Sequence, residues 1–318
     1  MQRTRALSIT MLAAPTLVLA ALPAQAGSSD EFRASPGYQV PVYAGGEDGP
    51  PTVVEDSADA ARAPQTATFQ VTYVGFSAQA KAAFQRAVNT WANKLNSPVP
   101  ITVRASWEPL GSSILGSAGP SYVWNSGGVF HVDAIANKKA GRQLNSAPDI
   151  VARFSSNFSN WHFGTGKAPA GKYDFQSVVA HELGHGLGFL GAGRVSGSRG
   201  TVQLSGRNIS YDRYTKLGNK QNSPLLWRMP NNSVQLGSAL RSNNVYFDSP
   251  AVRRANGGKA AKLYAPSSWR QGSSYSHLDE ATFPKGTPNS LMTYAISSGE
   301  TIRTPGKVTQ ALFKTIGW

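Results

Sequence analysis

The stretch VVAHELGHGLGFLGAG, residues 178–193, places two histidines and a glutamate at a spacing suited to holding one metal ion. His181 and His185 are four residues apart, so on a helix they lie about 40° apart and can turn imidazole nitrogens to the same ion. Glu182 lies beside them and can reach a metal-bound water as general base without being a ligand. Zinc suits this chemistry because it lowers the pKa of bound water and polarises a carbonyl. The stretch therefore predicts a catalytic zinc site on a helix.

A third protein ligand must come from elsewhere, because catalytic zinc is usually held by three protein ligands and a water. The extended pattern HExxHxxGxxH would place that ligand three residues after Gly188, at Gly191, which has no side chain. His277 is the one histidine of the chain that follows the helix. Among the downstream acids, Asp212 in SYDRY is its strongest rival. The residues alone leave both open.

The region after the helix has an order of parts that resembles a known group. After HELGHGLGF, 91 positions separate His185 from His277, and NSLMTYA with Met292 and Tyr294 and finally VTQALFKTIGW follow. This order resembles the metzincin clan of zinc peptidases, and within it the leishmanolysin family, whose third histidine follows a long insertion. HExxHxxGF is the specific motif of the match. The family's cysteines are absent from this chain.

The resemblance implies an α+β, zincin-like fold with a mixed twisted sheet, an active-site helix and a lower C-terminal subdomain. It implies that His277 is the third zinc ligand and that Met292 forms a hydrophobic floor below the metal. Tyr294 would lie close to the metal and help to stabilise the oxyanion. Asp279 and Glu280 are expected behind the ligands, where a carboxylate can orient an imidazole.

The elements that must position these residues follow from hydrophobic periodicity. Alternating or short apolar runs predict strands at 67–76, 99–107, 127–135 and 149–154. Ser77 is placed to cap a first helix, and Asp174 to cap the helix of the histidines, which should end near Gly188. A final helix should follow the turn at Pro305 and Gly306. The strand at 149–154, DIVARF, resembles the metzincin edge strand that holds an extended substrate.

The chain divides by composition. Residues 1–26 have a basic start, an apolar run and an Ala-Gln-Ala cleavage site, which predicts a signal peptide and secretion. Residues 27–66 carry seven acidic side chains against two basic ones and are rich in Pro, Gly and Ala, which predicts a disordered leader or a propeptide. Residues 67–318 are expected to be one catalytic domain, with an upper part at 67–190 and an insertion and lower part at 191–318.

The body carries 27 Lys and Arg against 10 Asp and Glu. This charge favours anionic cell-wall or surface polymers as partners, and no motif points to nucleic acid. No apolar run after the signal region predicts a membrane span, and without cysteine there are no disulfides. The ten acidic residues of the body do not point to calcium sites, so calcium binding is left undecided.

The function predicted from these observations is secreted zinc endopeptidase activity on protein or peptide substrates, with Glu182 as general base. The alternative is a secreted basic binding protein on a zincin scaffold that attaches to anionic cell-wall or host surfaces. A wall-peptide hydrolase would differ from the first only in its substrate.

Overall fold

A computed structural model describes residues 33–45, 50–56 and 66–318. The predicted signal peptide, residues 1–26, lies outside them. The helices of the described part are α1 (Ala78–Ala92), α2 (Asp133–Ala140), α3 (Phe175–Gly186), α4 (Val234–Leu240), α5 (Pro250–Ala255) and α6 (Gly306–Ile316). None of them is long and apolar enough to cross a bilayer.

The strands are short. In chain order they are β1 (Ala34–Pro36), β2 (Val40–Ala44), β3 (Thr52–Val54), β4 (Phe69–Val74), β5 (Ile101–Glu108), β6 (Ile114–Pro120), β7 (Tyr122–Ser126), β8 (Val129–Val132), β9 (Ile150–Ser155), β10 (Trp161–His162), β11 (Tyr173–Asp174), β12 (Arg194–Ser196), β13 (Arg199–Thr201), β14 (Thr215–Leu217), β15 (Val245–Phe247), β16 (Ala261–Lys262), β17 (Ala295–Ile296) and β18 (Glu300–Ile302).

The main sheet has six strands in the order β17-β2-β6-β9-β5-β4. Strands β4, β5 and β9 are parallel, and β6 runs antiparallel to β9 and to β2. Helix α3 packs against β6, β9 and β2 as well as against α1. The predicted α+β class with a mixed sheet is therefore confirmed.

Strand β9 does not lie at the edge where the resemblance placed it. It pairs with β5 on one side and with β6 on the other, so the prediction of an edge strand at 149–154 is wrong. Ile150, Ala152 and Phe154 are buried whereas Arg153 is exposed, so one face of this central strand packs on the core. Strand β6 takes the position outside β9, and β2 covers the outer edge of β6. A smaller correction concerns 127–135, where β8 ends at Val132 and α2 begins at Asp133.

The two predicted helix caps are present and fix the helices of the site. The Ser77 hydroxyl accepts a hydrogen bond from Ala80 N, and Asp174 accepts one from Ser177 N at the start of α3. The Trp91 indole on α1 donates to Ala180 O on α3 at 2.8 Å, so α1 supports the site helix directly. Helix α3 ends at Gly186, and Gly188 has a φ of +119°, which allows the sharp turn after it.

The acidic N-terminal segment is ordered where the structure describes it. Strand β1 pairs with β7, β2 lies within the main sheet and β3 pairs with β18. The prediction of a disordered leader is therefore wrong for residues 33–45 and 50–56. The acidic, Pro-, Gly- and Ala-rich composition predicts disorder for the segment taken alone. Backbone hydrogen bonds to strand edges of the body order it instead.

Asp133 provides a test of stability against pH. The fully buried carboxylate accepts hydrogen bonds from Trp124 Nε1 and Tyr122 N, yet burial raises its pKa to about 7. The folded state then binds a proton more tightly than the unfolded state does, so this contribution to stability is lost as pH rises from about 4 to about 7. Since one pKa unit corresponds to about 1.4 kcal/mol, the loss should be on the order of 4 kcal/mol. Urea unfolding at several pH values should show a steeper loss of stability in wild type than in Asp133→Asn, which keeps the contributions of other buried carboxyls such as Asp212; equal slopes would contradict it.

Candidate metal centre

Three histidines meet in the interior below the main sheet. His181 and His185 project from one face of α3, and His277 lies in the segment that pairs with the turn around Met292. All three side chains are fully buried. Their Nε2 atoms are 3.0 Å apart between His181 and His185, 3.1 Å between His185 and His277, and 3.3 Å between His181 and His277. This group could hold a metal ion.

The other ring nitrogen of each histidine is bonded to a backbone carbonyl. His181 Nδ1 lies 2.7 Å from Leu291 O, His185 Nδ1 2.8 Å from Phe189 O, and His277 Nδ1 2.7 Å from Ser273 O. A carbonyl oxygen only accepts, so each Nδ1 carries the hydrogen and each neutral ring keeps its lone pair at Nε2. Three lone pairs therefore converge where all three side chains are fully buried. A cation between them removes the repulsion that this arrangement otherwise creates.

Burial keeps the imidazoles neutral, which is the form that binds metal. Desolvation lowers the pKa of His181 to about 4 and the pKa of His185 and His277 well below the ordinary value. For His185, the positive charge that each neighbouring histidine would carry lowers the pKa further. A proton thus competes weakly for these lone pairs near neutral pH.

Glu182 is the carboxylate of the site, and it is only partly satisfied. Its side chain is fully buried, Oε1 accepts a hydrogen bond from Val42 N at 3.2 Å, and Oε2 has no hydrogen-bond partner among the described residues. Burial raises its pKa well above the ordinary value, although backbone N–H groups of Val42 and Ala118 oppose this. Gly116 on β6 gives the carboxylate room, because a Cβ there would lie 3.2 Å from Glu182 Cγ.

Met292 lies directly against the site helix. A short 3₁₀ turn spans Ser290–Met292, and the Met292 sulfur would be 2.7 Å from a Cβ placed on Gly184, between the two helical histidines. The same turn supplies Leu291 O to His181, and Met292 O accepts from Leu278 N, next to His277. The turn therefore fixes two of the three imidazoles, which sequence reasoning did not anticipate.

Asp212, the rival third ligand, is not part of the three-histidine group. It is buried and accepts hydrogen bonds from Ala192 N, Ile209 N and the Tyr275 hydroxyl, all between 2.8 and 2.9 Å. Its carboxylate thus ties the chain just after Gly191 to the segments around Ile209 and Tyr275. Burial raises its pKa to about 7.

Gly191 has no space for any side chain. A Cβ would lie 2.3 Å from the Tyr275 ring and 2.7 Å from the Tyr211 ring, and both rings are fully buried. The fold therefore excludes a ligand at the position where the extended pattern would put one.

Gly191→Ala should consequently lower the free energy of unfolding by about 1–3 kcal/mol, because overpacking displaces buried rings. Thermal unfolding measures the effect. Gly166→Ala is the matched control, since a Cβ there meets nothing within 4 Å, and it should leave the transition unchanged. If Gly191→Ala also leaves the thermal transition unchanged, the Tyr211 and Tyr275 rings can move aside without lowering the free energy of unfolding.

Three further predicted residues lie elsewhere. Asp279 accepts hydrogen bonds from the backbone N–H and the hydroxyl of Thr282, and it pairs with Lys262 at 3.5 Å. Glu280 is hydrogen bonded to Tyr294. Because all three Nδ1 atoms are bonded to carbonyls, the prediction that Asp279 and Glu280 orient an imidazole is wrong.

Tyr294 stacks on Tyr264 with ring centroids 4.3 Å apart. With Arg270 it lines a cavity of about 540 Å³ beside β2. Its approach to a metal ion stays a prediction.

No family model, no curated protein and no solved structure matches this chain. The chemical character of the site therefore rests on its own geometry: three neutral imidazoles that could hold one metal ion, with a buried carboxylate on the same helix.

Proposed function

We propose that this chain is a zinc-dependent endopeptidase of the metzincin type that is exported by its N-terminal signal sequence. The observation that carries the proposal is the convergence of three Nε2 lone pairs, together with the half-satisfied carboxylate of Glu182 on the helix that supplies two of them. The metzincin assignment is supported by the HELGHGLGF motif, by His277 and by the position of Met292 against α3.

The donor set and its spacing fit zinc. Tetrahedral zinc with Zn–N distances of 2.0–2.1 Å requires nitrogens about 3.3 Å apart, and the three Nε2 atoms are 3.0 to 3.3 Å apart. Three neutral nitrogen ligands leave a fourth position for the reactants, as catalytic zinc sites do. His181, His185 and His277 would hold the ion. When bound, zinc supplies a Lewis acid that polarises a carbonyl and acidifies water.

Glu182 moves the proton. Because its pKa is raised by burial, the carboxylate can take a proton from the attacking water and later return it to the leaving amine. Oε2 is the oxygen available for this, since Oε1 is bonded to Val42 N. The fixed Nδ1 bonds hold the imidazoles in one tautomer and orientation, which keeps the ligand geometry constant during these proton transfers.

The test combines metal content with hydrolysis. Elemental analysis of the purified protein should give one zinc per chain. Unfolded casein should be cleaved by the protein, either as purified or after limited proteolysis. A chelator should abolish cleavage and added zinc restore it. Cleavage that resists the chelator would overturn the metal mechanism. One bound zinc with no cleavage in either form would instead favour the basic binding protein on the same scaffold.

A further inference from the structure

The outer edge of β6 faces the site helix, and a segment of the same chain covers it. Strand β2 pairs antiparallel with β6, with Val40 opposite Ala118 and Val42 opposite Gly116. Gly116 is the residue whose missing side chain leaves room for Glu182. Strand β2 therefore lies along the edge of β6 at the position where β6 contacts Glu182.

On its other side, β2 pairs with the strand that follows the Met292 turn. Strand β17 runs parallel to β2, Tyr43 N donates to Tyr294 O at 3.4 Å, and Gly45 N donates to Ile296 O at 2.8 Å. An extended segment is thus hydrogen bonded by β6 from one side and by β17 from the other. An added peptide strand is bound to a sheet edge through the same kind of backbone contacts.

The backbone of β2 also makes a contact with Glu182. Val42 N donates to Glu182 Oε1 at 3.2 Å, and the pairing register shifts between Val42 and Tyr43. Val40 and Val42 are buried, whereas Pro41 and Tyr43 are partly exposed. An incoming peptide backbone could not reach this oxygen while Val42 is in place.

Charge holds the rest of the segment on the body. Glu55 pairs with Arg303 at 2.8 Å, and Asp56 pairs with Lys94 at 2.9 Å and accepts from the Thr304 hydroxyl at 2.8 Å. Strand β3, which precedes these acids, pairs with β18. Glu55 and Asp56, the described acids of the segment, thus meet basic residues of the body, in keeping with the opposite charges of the two parts.

We propose that residues 33–56 are a built-in inhibitor, in which β2 occupies the groove between β6 and β17 where an extended peptide substrate binds. The inference rests on the proposed function, since it assigns the groove to that reaction. The segment blocks the site through its backbone and through Val40 and Val42; its described acids, Glu55 and Asp56, have partners in the body. Release of the segment opens the groove and exposes Glu182.

The test uses the full chain with a recognition sequence for a site-specific protease inserted after Ala60. Cutting and separating the N-terminal fragment should raise kcat/KM on unfolded casein at least tenfold. It should also speed the extraction of bound zinc by a chelator at least tenfold. A synthetic peptide of residues 33–56 should restore inhibition. The same peptide with Val42→Pro should not, because proline lacks the N–H that reaches Glu182.

The matched control carries the same insertion after Gly197, in the turn between β12 and β13. Cutting there leaves β2 in its groove and should change neither rate. A separated body that keeps its fold and zinc but shows unchanged rates would overturn the proposal, and so would a body that unfolds, because β2 would then be structural. Faster zinc extraction after cutting, with no hydrolysis by the uncut chain or by the separated body, would still support β2 as the segment that covers the groove. It would overturn the peptidase proposal.

Discussion

Glu182→Gln is expected to lower kcat/KM for peptide hydrolysis at least about 10³-fold while one zinc per chain remains bound. General acid–base catalysis alone contributes about 10²–10⁴-fold, and here one carboxylate performs both proton transfers. Glutamine keeps the size of the side chain, and before residues 33–56 are released it can still accept from Val42 N through its oxygen. It cannot take a proton from water. The fold should be unaffected, because the substitution removes a buried charge.

The measurement is made on the chain from which residues 33–56 have been released, with zinc quantified on the same sample. Glu108→Gln is the control, because Glu108 is 40% exposed and pairs with Arg153 on the surface. It should retain full activity. A Glu182→Gln protein that keeps both zinc and activity would remove Glu182 from the mechanism.

His277→Ala is expected to weaken zinc binding at least about 100-fold, since even residues that only orient ligands cost 10–100-fold when removed. Hydrolysis at limiting zinc should fall in parallel. His181 and His185 alone leave the ion with two protein ligands, below the usual three. Elemental analysis after dialysis against a weak chelator measures the loss.

Asp212→Asn separates this result from a general effect on the lower part of the molecule. Asp212 accepts three hydrogen bonds near Gly191, so its substitution should destabilise the fold but leave the zinc stoichiometry at one. The opposite pattern, zinc retained in a folded His277→Ala protein and lost in Asp212→Asn, would make Asp212 the ligand.

The site helix could be predicted from sequence because its signals are local. The Asp174 cap, the spacing of His181 and His185 and the stop near Gly188 all lie within fifteen residues of one another. His277 is different, since its place beside His185 depends on how a long segment folds. It could be predicted because few alternatives existed, and because Met292 follows it as the resemblance requires. The reason that Gly191 carries no ligand, the two buried tyrosine rings, was not accessible from sequence.

Two errors have a common physical origin in strand pairing between distant segments. DIVARF resembles the metzincin edge strand, which is the reason for the prediction at the edge; the strand that pairs with β2 is instead ILGSAGP, whose Gly116 gives Glu182 its space. In the N-terminal segment, alternation of Val40, Val42 and Ala44 was a usable strand signal, but acidic and Pro-rich composition outweighed it. Neither segment contains information about which edge it joins.

The separation of 92 residues between His185 and His277 has a consequence for folding. An ion bound to both closes a loop of that length in the polypeptide. In the chain-entropy description of cross-links, closing a loop of about 100 residues removes unfolded-state entropy worth about 4–5 kcal/mol. This chain has no cysteine, so the ion would be its one cross-link across the insertion. Loading with zinc would then act as the staple that a disulfide provides in many exported proteins, fastening the segment around His277 to the site helix.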